Sequence, residues 1–382
     1  MHQYLVVRNP EVKGQLRLRF PVAGYLTPDD HSGNYELGGF EYTRKQLKRD
    51  DRFFVVSHNK PIDSGMLDYE KTVNAKDELA AFKVLLPELT VTNERYSFTV
   101  IHQQPNGEQQ VLFSVAVAKT SKPTQAIFVT GSPRSGTTAM GNALQRAFNH
   151  KVHGEAHLAD MMAQIDSYSQ QALIKSPAYN NEGTLINQLN AADIQMNTVL
   201  MIRGIHEQFY GKDLVLDKTP GGPNINALWL MLKAYPEAKI IYCQRRGLEN
   251  VISRLKKFPD VSFEGHCKQW RQSLRLWNAA KQSVSVAMKH QDWFYRVEQL
   301  LVARAPEETT NTIGNWLALT SAQQKRMSAY LKQQSPQQSS DFKAAVDLDK
   351  LDWTAEQKSV FLKICGPEMK NQGYSLDEHY FL

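Results

Sequence analysis

Three cysteines in 382 residues are too few to staple a fold. Cys243, Cys267 and Cys365 stand far apart and in no metal-ligand spacing, which argues against a disulfide framework and against a zinc site. No apolar run is long and unbroken enough to span a bilayer. The opening residues, Met1-His-Gln-Tyr-Leu-Val-Val-Arg8, lack the charged n-region and long apolar stretch of a signal peptide, so a reducing cytoplasm is the expected compartment. Basic residues are in modest excess, with a net charge of +6, but the clusters are short (Arg44-Lys-Gln-Leu-Lys-Arg49 and Arg254-Leu-Lys-Lys257) and no nucleic-acid motif accompanies them. A basic surface of this kind suits a small anionic ligand, which it would steer inward. Apolar content of 42% against 22% charged residues is that of a globular chain, and the length allows two domains or more.

What the chain does contain divides near residue 120. Residues 1–118 read as β-rich: Leu16-Arg-Leu-Arg-Phe20 alternates, and the runs 96–101 and 111–117 flank the turn signal Pro105-Asn-Gly107, which predicts a hairpin. The segment Glu78-Leu-Ala-Ala-Phe-Lys-Val-Leu-Leu86 has no Pro or Gly until Pro87 and predicts a helix. Residues 119–124, with Pro, Ser and Thr, read as a linker, and 125–382 as a second domain. There the pattern alternates. Strands are expected at 126–130, 214–216, 239–243 and 293–295, and helices at 137–148, 224–235, 247–257 and 264–289. Such alternation predicts an α/β fold, a parallel sheet flanked by helices. Further helices open after Pro306 and at Thr354, where Gln357 completes a capping box; Gly366 is the expected stop of the latter. Ser335-Pro-Gln-Gln-Ser-Ser340 reads as an exposed loop.

The stretch richest in chemistry is Gly131-Ser-Pro-Arg-Ser-Gly-Thr-Thr138, directly behind the apolar run Ala126-Ile-Phe-Val-Thr130. A strand, a Gly-bounded loop and a helix start aim backbone N–H groups at an anion. The ATP-type loop G-x-x-x-x-G-K-[ST] carries Lys after its second Gly; here Thr137 stands there, and the fixed cation is Arg134 inside the loop. A phosphate-like group is expected, but not the triphosphate of ATP–Mg. Downstream, in Ile240-Ile-Tyr-Cys-Gln-Arg-Arg246, a strand ends at Gln244 and two arginines follow it; Ser253 comes eight residues after Arg245, on a helix. Val215-Leu-Asp-Lys-Thr-Pro220 ends another strand with Lys218, and Val152-His-Gly-Glu-Ala156 supplies Glu155, twenty-one residues beyond Arg134.

In this order and spacing, the features resemble the sulfotransferases that use PAPS (3′-phosphoadenosine 5′-phosphosulfate), the tyrosylprotein-type and bacterial enzymes in particular. The resemblance covers residues 124–320 and implies a P-loop-type parallel sheet. It implies that Ser132, Pro133, Arg134, Ser135, Gly136, Thr137 and Thr138 cradle the 5′-phosphosulfate, with Pro133 giving no N–H. It implies that Arg245 and Ser253 hold the 3′-phosphate, that Lys218 stabilises the departing phosphate oxygen, and that Glu155 takes the proton of a hydroxyl or amine acceptor. His153 and His157 are rival bases, with Glu155 favoured over His157. Trp270 is either an adenine neighbour or a core residue. Tyr295-Arg-Val-Glu-Gln-Leu300 resembles the family's tail motif except at Val297. PAPS is the expected co-substrate, with no metal required and PAP (3′,5′-ADP) as product. The acceptor, whether small molecule, carbohydrate, lipid or peptide, is not specified. Residues 155–210, with Tyr168, Tyr179, His206, Phe209 and Tyr210, are an expected acceptor lid. Two alternatives stay open: a phosphotransferase using ATP–Mg, and a non-catalytic nucleotide-binding scaffold with the β-rich part as recognition module.

Overall fold

A computed structural model describes residues 1–26, 35–44, 47, 50–57, 60–62, 67–68, 79–86, 95–123, 125–151, 154–178, 184–285, 292–333 and 345–382. Among the described residues ten strands come first: β1 (His2–Arg8), β2 (Gln15–Leu18), β3 (Ala23–Leu26), β4 (Tyr35–Thr43), β5 (Arg52–Ser57), β6 (Lys60–Ile62), β7 (Leu67–Asp68), β8 (Leu79–Leu86), β9 (Arg95–Gln103) and β10 (Gln109–Lys119). They form two antiparallel sheets, ordered β3-β1-β10-β9-β5-β6 and β2-β4-β8-β7. The inner faces meet in one core that includes Phe40, Tyr42, Phe82, Phe98 and Phe113. The expected hairpin joins β9 to β10, and Gly107 takes the positive φ of 85° that its turn requires.

The second half carries β11 (Gln125–Gly131), α1 (Thr137–Ala147), α2 (Leu158–Lys175), α3 (Ala191–Tyr210), β12 (Leu214–Lys218), α4 (Gly222–Asn226), α5 (Leu228–Ala234), β13 (Lys239–Gln244), α6 (Gly247–Lys257), α7 (Phe263–Ser285), β14 (Phe294–Glu298), α8 (Gln299–Arg304), α9 (Pro306–Trp316), α10 (Ser321–Gln333) and α11 (Ala355–Asn371). Its four strands are parallel, in the order β12-β11-β13-β14. The fold is therefore α/β, a parallel sheet flanked by helices and preceded by a β-rich region.

Strand β10 joins the two halves. Its residues Leu112 to Ala118 are all buried, because both of its faces are covered. Val115 and Val117 face the N-terminal core, while Ala116 and Ala118 face the core of the α/β half, where their small side chains let α3 approach. Arg203 on α3 completes the junction. Its buried guanidinium donates to the Gln3 side chain (3.1 Å), to the Ala234 carbonyl (2.7 Å) and to the Ser121 carbonyl, and lies over the Tyr235 ring.

Several expectations are corrected. Residues 79–86 form strand β8, paired with β4, and not a helix. Ala80, Phe82, Val84 and Leu86 alternate into the core, a period of two hidden because the opposite register is also largely apolar. Glu78 and Pro87 lie outside the described residues, as do His153, Tyr179, most of the Arg44–Arg49 cluster and the 335–340 segment. The helix expected over 224–235 is broken at Ala227 into α4 and α5. The capping box of Thr354 and Gln357 forms, but α11 runs through Gly366 and Pro367 to Asn371. The stop is Gly373 at φ 72°, where the amides of Gly373 and Tyr374 close back on the Lys370 and Met369 carbonyls. Replacing Arg203 by Met should leave buried acceptors unpaired and lower stability by about 3 kcal/mol, measured as a shift in the urea unfolding midpoint.

Candidate active site

In the parallel sheet, β11 has the strand after it in sequence on one side and a later strand on the other. The order reverses between β11 and β13, and ligands of such sheets settle in the crevice at the C-terminal ends of those strands. The loop 131–136 leaves β11 there. Gly131, at φ 151°, is pressed so close to β13 that a Cβ would lie 2.2 Å from the Cys243 carbonyl oxygen. Gly136, at φ 87°, meets the Gln299 side chain and turns the chain into α1. Between them Arg134 sits at φ 74°, a left-handed conformation that costs a non-glycine residue about 1 kcal/mol. Asn250 on α6 holds the loop against that cost. Its fully buried amide donates to the Pro133 carbonyl and to Ser135 Oγ, each at 3.0 Å. Ser132, Ser135 and Thr137 are buried, while Thr138 is exposed in the first turn of α1.

The second strand end closes on the first. Arg245 Nη1 donates to the Arg134 carbonyl at 3.2 Å, and Arg134 Nε donates to Ser253 Oγ at 3.1 Å. Arg245 is buried and its Nε has no hydrogen-bond partner among the described residues. Burial pushes its pKa down, the cost of enclosing a charge with too little around it. Arg246 points elsewhere: it is fully buried, pairs with Glu249 and donates to the carbonyls of Val346 and Asp377, which ties down the C-terminal segment. Trp270 is placed in the core, 1% exposed, with its indole N–H on the Arg245 carbonyl at 3.0 Å. It lies beneath the arginine, with no open face on which a base could stack.

On the other side, Lys218 ends β12 beside Val129 of β11. Its stem runs over α1 at Gly141, where a Cβ would lie 2.8 Å from both Lys218 Cβ and Cγ, so any larger residue would displace the lysine. Lys218 Nζ reaches Glu155 Oε1 at 2.8 Å, and Glu155 Oε2 lies 3.1 Å from His157 Nε2. The lysine is buried and the two partners are exposed. This segment is docked by its backbone: the Ala156 amide donates to Thr219 Oγ1 at 3.2 Å, and Thr219 in turn donates to the buried Asp217 at 2.9 Å.

The expected lid is two packed helices. His206 and Tyr210 on α3 are buried against Phe128, and burial pushes the His206 pKa down to about 4. Tyr168 and Phe209 are exposed. A cleft of about 660 Å³ borders the loop at Pro133, with Asp160, Asn226, Arg254, Gln269 and Gln272 in its lining. Arg254 is 3% exposed and keeps one unpartnered donor, Nη1, among the described residues.

Sequence reading missed Asn250, Gly141 and Glu298. Asn250 and Gly141 match no motif, although Asn250 falls between the two anchors Arg245 and Ser253. Glu298 ends β14, receives hydrogen bonds from the Tyr374 and Tyr380 hydroxyls, and is pushed up to about 7 by burial, against the smaller pull of those donors. Raising that pKa weakens the negative charge of Glu298 below about pH 7, and with it the repulsion of an anion near the strand end.

An anion-directed loop at the switch of a parallel sheet, flanked by arginines and a lysine, is suited to hold a phosphate-like group. Residues 126–323, just over half of the chain, match the sequence model of the sulfotransferase family. The chain belongs to that family. Among solved structures, it is similar to sulfotransferase STF9 from Mycobacterium avium, with 13% identity over 65% of this chain and 77% of that one at a TM-score of 0.39. It is also similar to the sulfotransferase domain of the Synechococcus PCC 7002 olefin synthase, with 15% identity over 65% and 96% at a TM-score of 0.40. No curated protein matches the chain.

The Glu298 carboxyl predicts a pH effect. Its folded pKa is raised, so folding takes up a proton between the ordinary carboxyl value of 4.5 and about 7. The stability it contributes is present below 4.5 and lost as the pH rises through about 7. Urea midpoints measured at pH 5 and pH 8 should fall less with Glu298→Gln than with the parent; equal falls would place the titration elsewhere.

Proposed function

We propose that the protein transfers a sulfuryl group from PAPS to a hydroxyl or amine acceptor and releases PAP. The observation that carries this reading is the convergence of Arg134 and Arg245, which follow two strand ends, with Ser253 of α6, the buried Nε of Arg245 lacking a partner among the described residues. A guanidinium in that state fits the oxygens of a bound phosphate.

Backbone amides of residues 134–138 and the hydroxyls of Ser135, Thr137 and Thr138 hold the 5′-phosphosulfate at the start of α1. Arg134 offsets charge there, and Arg245 with Ser253 holds the 3′-phosphate. Lys218 and Glu155 neutralise each other across 2.8 Å in the resting protein. With donor in place, Lys218 turns to the bridging oxygen and stabilises the charge that grows on it, which frees Glu155 to accept the acceptor's proton. The acceptor oxygen bonds to sulfur as the sulfur–oxygen bond to the 5′-phosphate breaks, and the electron pair leaves on that phosphate. His157 assists by holding Glu155 from its other oxygen. Trp270 acts as a positioning residue beneath Arg245. The cleft beside Pro133 receives the acceptor, and its amide, carboxylate and guanidinium lining suits a polar, hydroxylated molecule.

Substituting Lys218 by Ala should lower kcat about 100-fold to 1,000-fold while leaving the KM for PAPS within a few-fold. The readout is PAP release from PAPS over a panel of phenols, sugars and amino alcohols. Unchanged kcat would remove Lys218 from the leaving-group role.

A further inference from the structure

A second cleft, of about 600 Å³, opens away from the loop between the six-stranded sheet and the helices. Its floor is a single row across four strands: Val7 pairs with Ser114, Ser114 with Thr99, and Thr99 with Val56. At the usual strand spacing such a row is about 14 Å wide. The pair Val111 and Ile101 extends the floor along the strands. The opposite faces of the same strands, at Val6, Val115, Val100 and Val55, fill the N-terminal core. On the floor side, helix packing covers Leu5, Ala116 and Ala118 and reaches Val7, and Ser114 is buried, while Thr99 and Val56 farther along the row are half-buried. Leu173 and Ile174, in the last turn of α2, form an apolar wall there, and Ile174 is 70% exposed.

Two charged side chains line this cleft, Arg8 and Glu11; Glu11 is exposed, and no ion pair among the described residues joins it to Arg8. Arg8, the last residue of β1, lines it with a buried Nε that has no partner among the described residues. None of the ion pairs among those residues includes Arg8. Behind Gln195, Lys233 donates to the Gln195 side chain and to the Val6 carbonyl, and Asp166 accepts from Gln195 at 3.0 Å. Asp166 offsets Lys233, and among the described residues Arg8 is left without an ion-pair partner. An apolar floor disfavours a strongly polar ligand, while a half-buried unpaired guanidinium disfavours a neutral hydrocarbon.

We propose that this cleft is a second ligand site, for an amphipathic monoanion whose head sits on Arg8 and whose apolar body lies over the Val7-to-Val56 row against Leu173 and Ile174. It is separate from the loop. The start of α2 adjoins Glu155 and His157, and the cleft lies at the far end of that helix, roughly 22 Å along its axis. The proposal does not depend on the sulfuryl-transfer reading.

Isothermal titration of the full chain with dodecanoate, kept below its aggregation concentration, tests it. The expected result is one site. Binding should weaken about tenfold or more in Arg8→Met, the loss of one charge-assisted contact. It should weaken similarly in Ile174→Asp, an exposed helix-end change that leaves the core intact. Dodecanol, which lacks the charge, and butanoate, which lacks the chain, should each bind at least about tenfold more weakly than dodecanoate. Saturating PAP should leave dodecanoate binding unchanged. Equal affinity for dodecanol and dodecanoate, affinity unaltered in Arg8→Met and Ile174→Asp, or displacement by PAP would each overturn the assignment, the last by placing the ligand at the loop.

Discussion

Across the β11–β13 pair, residue 131 and Cys243 approach so closely that only a glycine fits, and the loop that follows leaves the sheet over the end of β13. That contact brings the Arg134 carbonyl within 3.2 Å of Arg245. The left-handed turn at Arg134, the Asn250 amide that holds it, the Arg134–Ser253 hydrogen bond and the Trp270 indole under Arg245 all depend on that approach. A loop aimed at an anion and a strand-end arginine from a separate unit thereby become one site.

Concentrating cations in a buried place raises the free energy of the protein alone, and the site limits that cost unevenly. Arg246 is compensated outright, by Glu249 and carbonyls of the C-terminal segment. Lys218 is compensated reversibly, by an exposed glutamate. Arg245 and Arg254 are left short, each with a buried N–H lacking a partner among the described residues. Meanwhile Glu298, a carboxyl that acts on Arg245, has its pKa pushed up to about 7 by burial, which weakens the charge it can offer. An incoming anion therefore gains what the protein's own carboxylates do not supply, which is how a site favours a ligand over self-pairing.

Legibility in the sequence followed the locality of the cause. The loop was readable because its shape depends on glycines at fixed positions, and the eight-residue offset from Arg245 to Ser253 was readable because one helix fixes it. Of the two adjacent arginines, Arg245 turns to the loop and Arg246 to Glu249. The α/β alternation was equally local: β14 overlaps the expected 293–295, and a helix opens at Pro306, as the proline followed by two glutamates led one to expect. Failures arose where distant packing decided. Residues 79–86 are apolar in both registers, and pairing with β4 made them a strand. Pro367 is carried inside α11. His206, expected in an acceptor lid, is a core residue beside Tyr235 and Phe128. Asn250 was invisible because an asparagine in a helix announces nothing until the loop it supports is in place.

The central claim is that Arg245 and its neighbours form a 3′-phosphate site beside the loop. Thermal midpoints of the parent protein and Arg245→Met, each with equal concentrations of PAP, ADP and ATP–Mg, test it most directly, because a ligand of the native state raises the midpoint. The prediction is a rise with PAP that exceeds those with ADP and ATP–Mg and disappears in Arg245→Met. A rise with ATP–Mg and none with PAP would contradict it and make the loop that of a phosphotransferase.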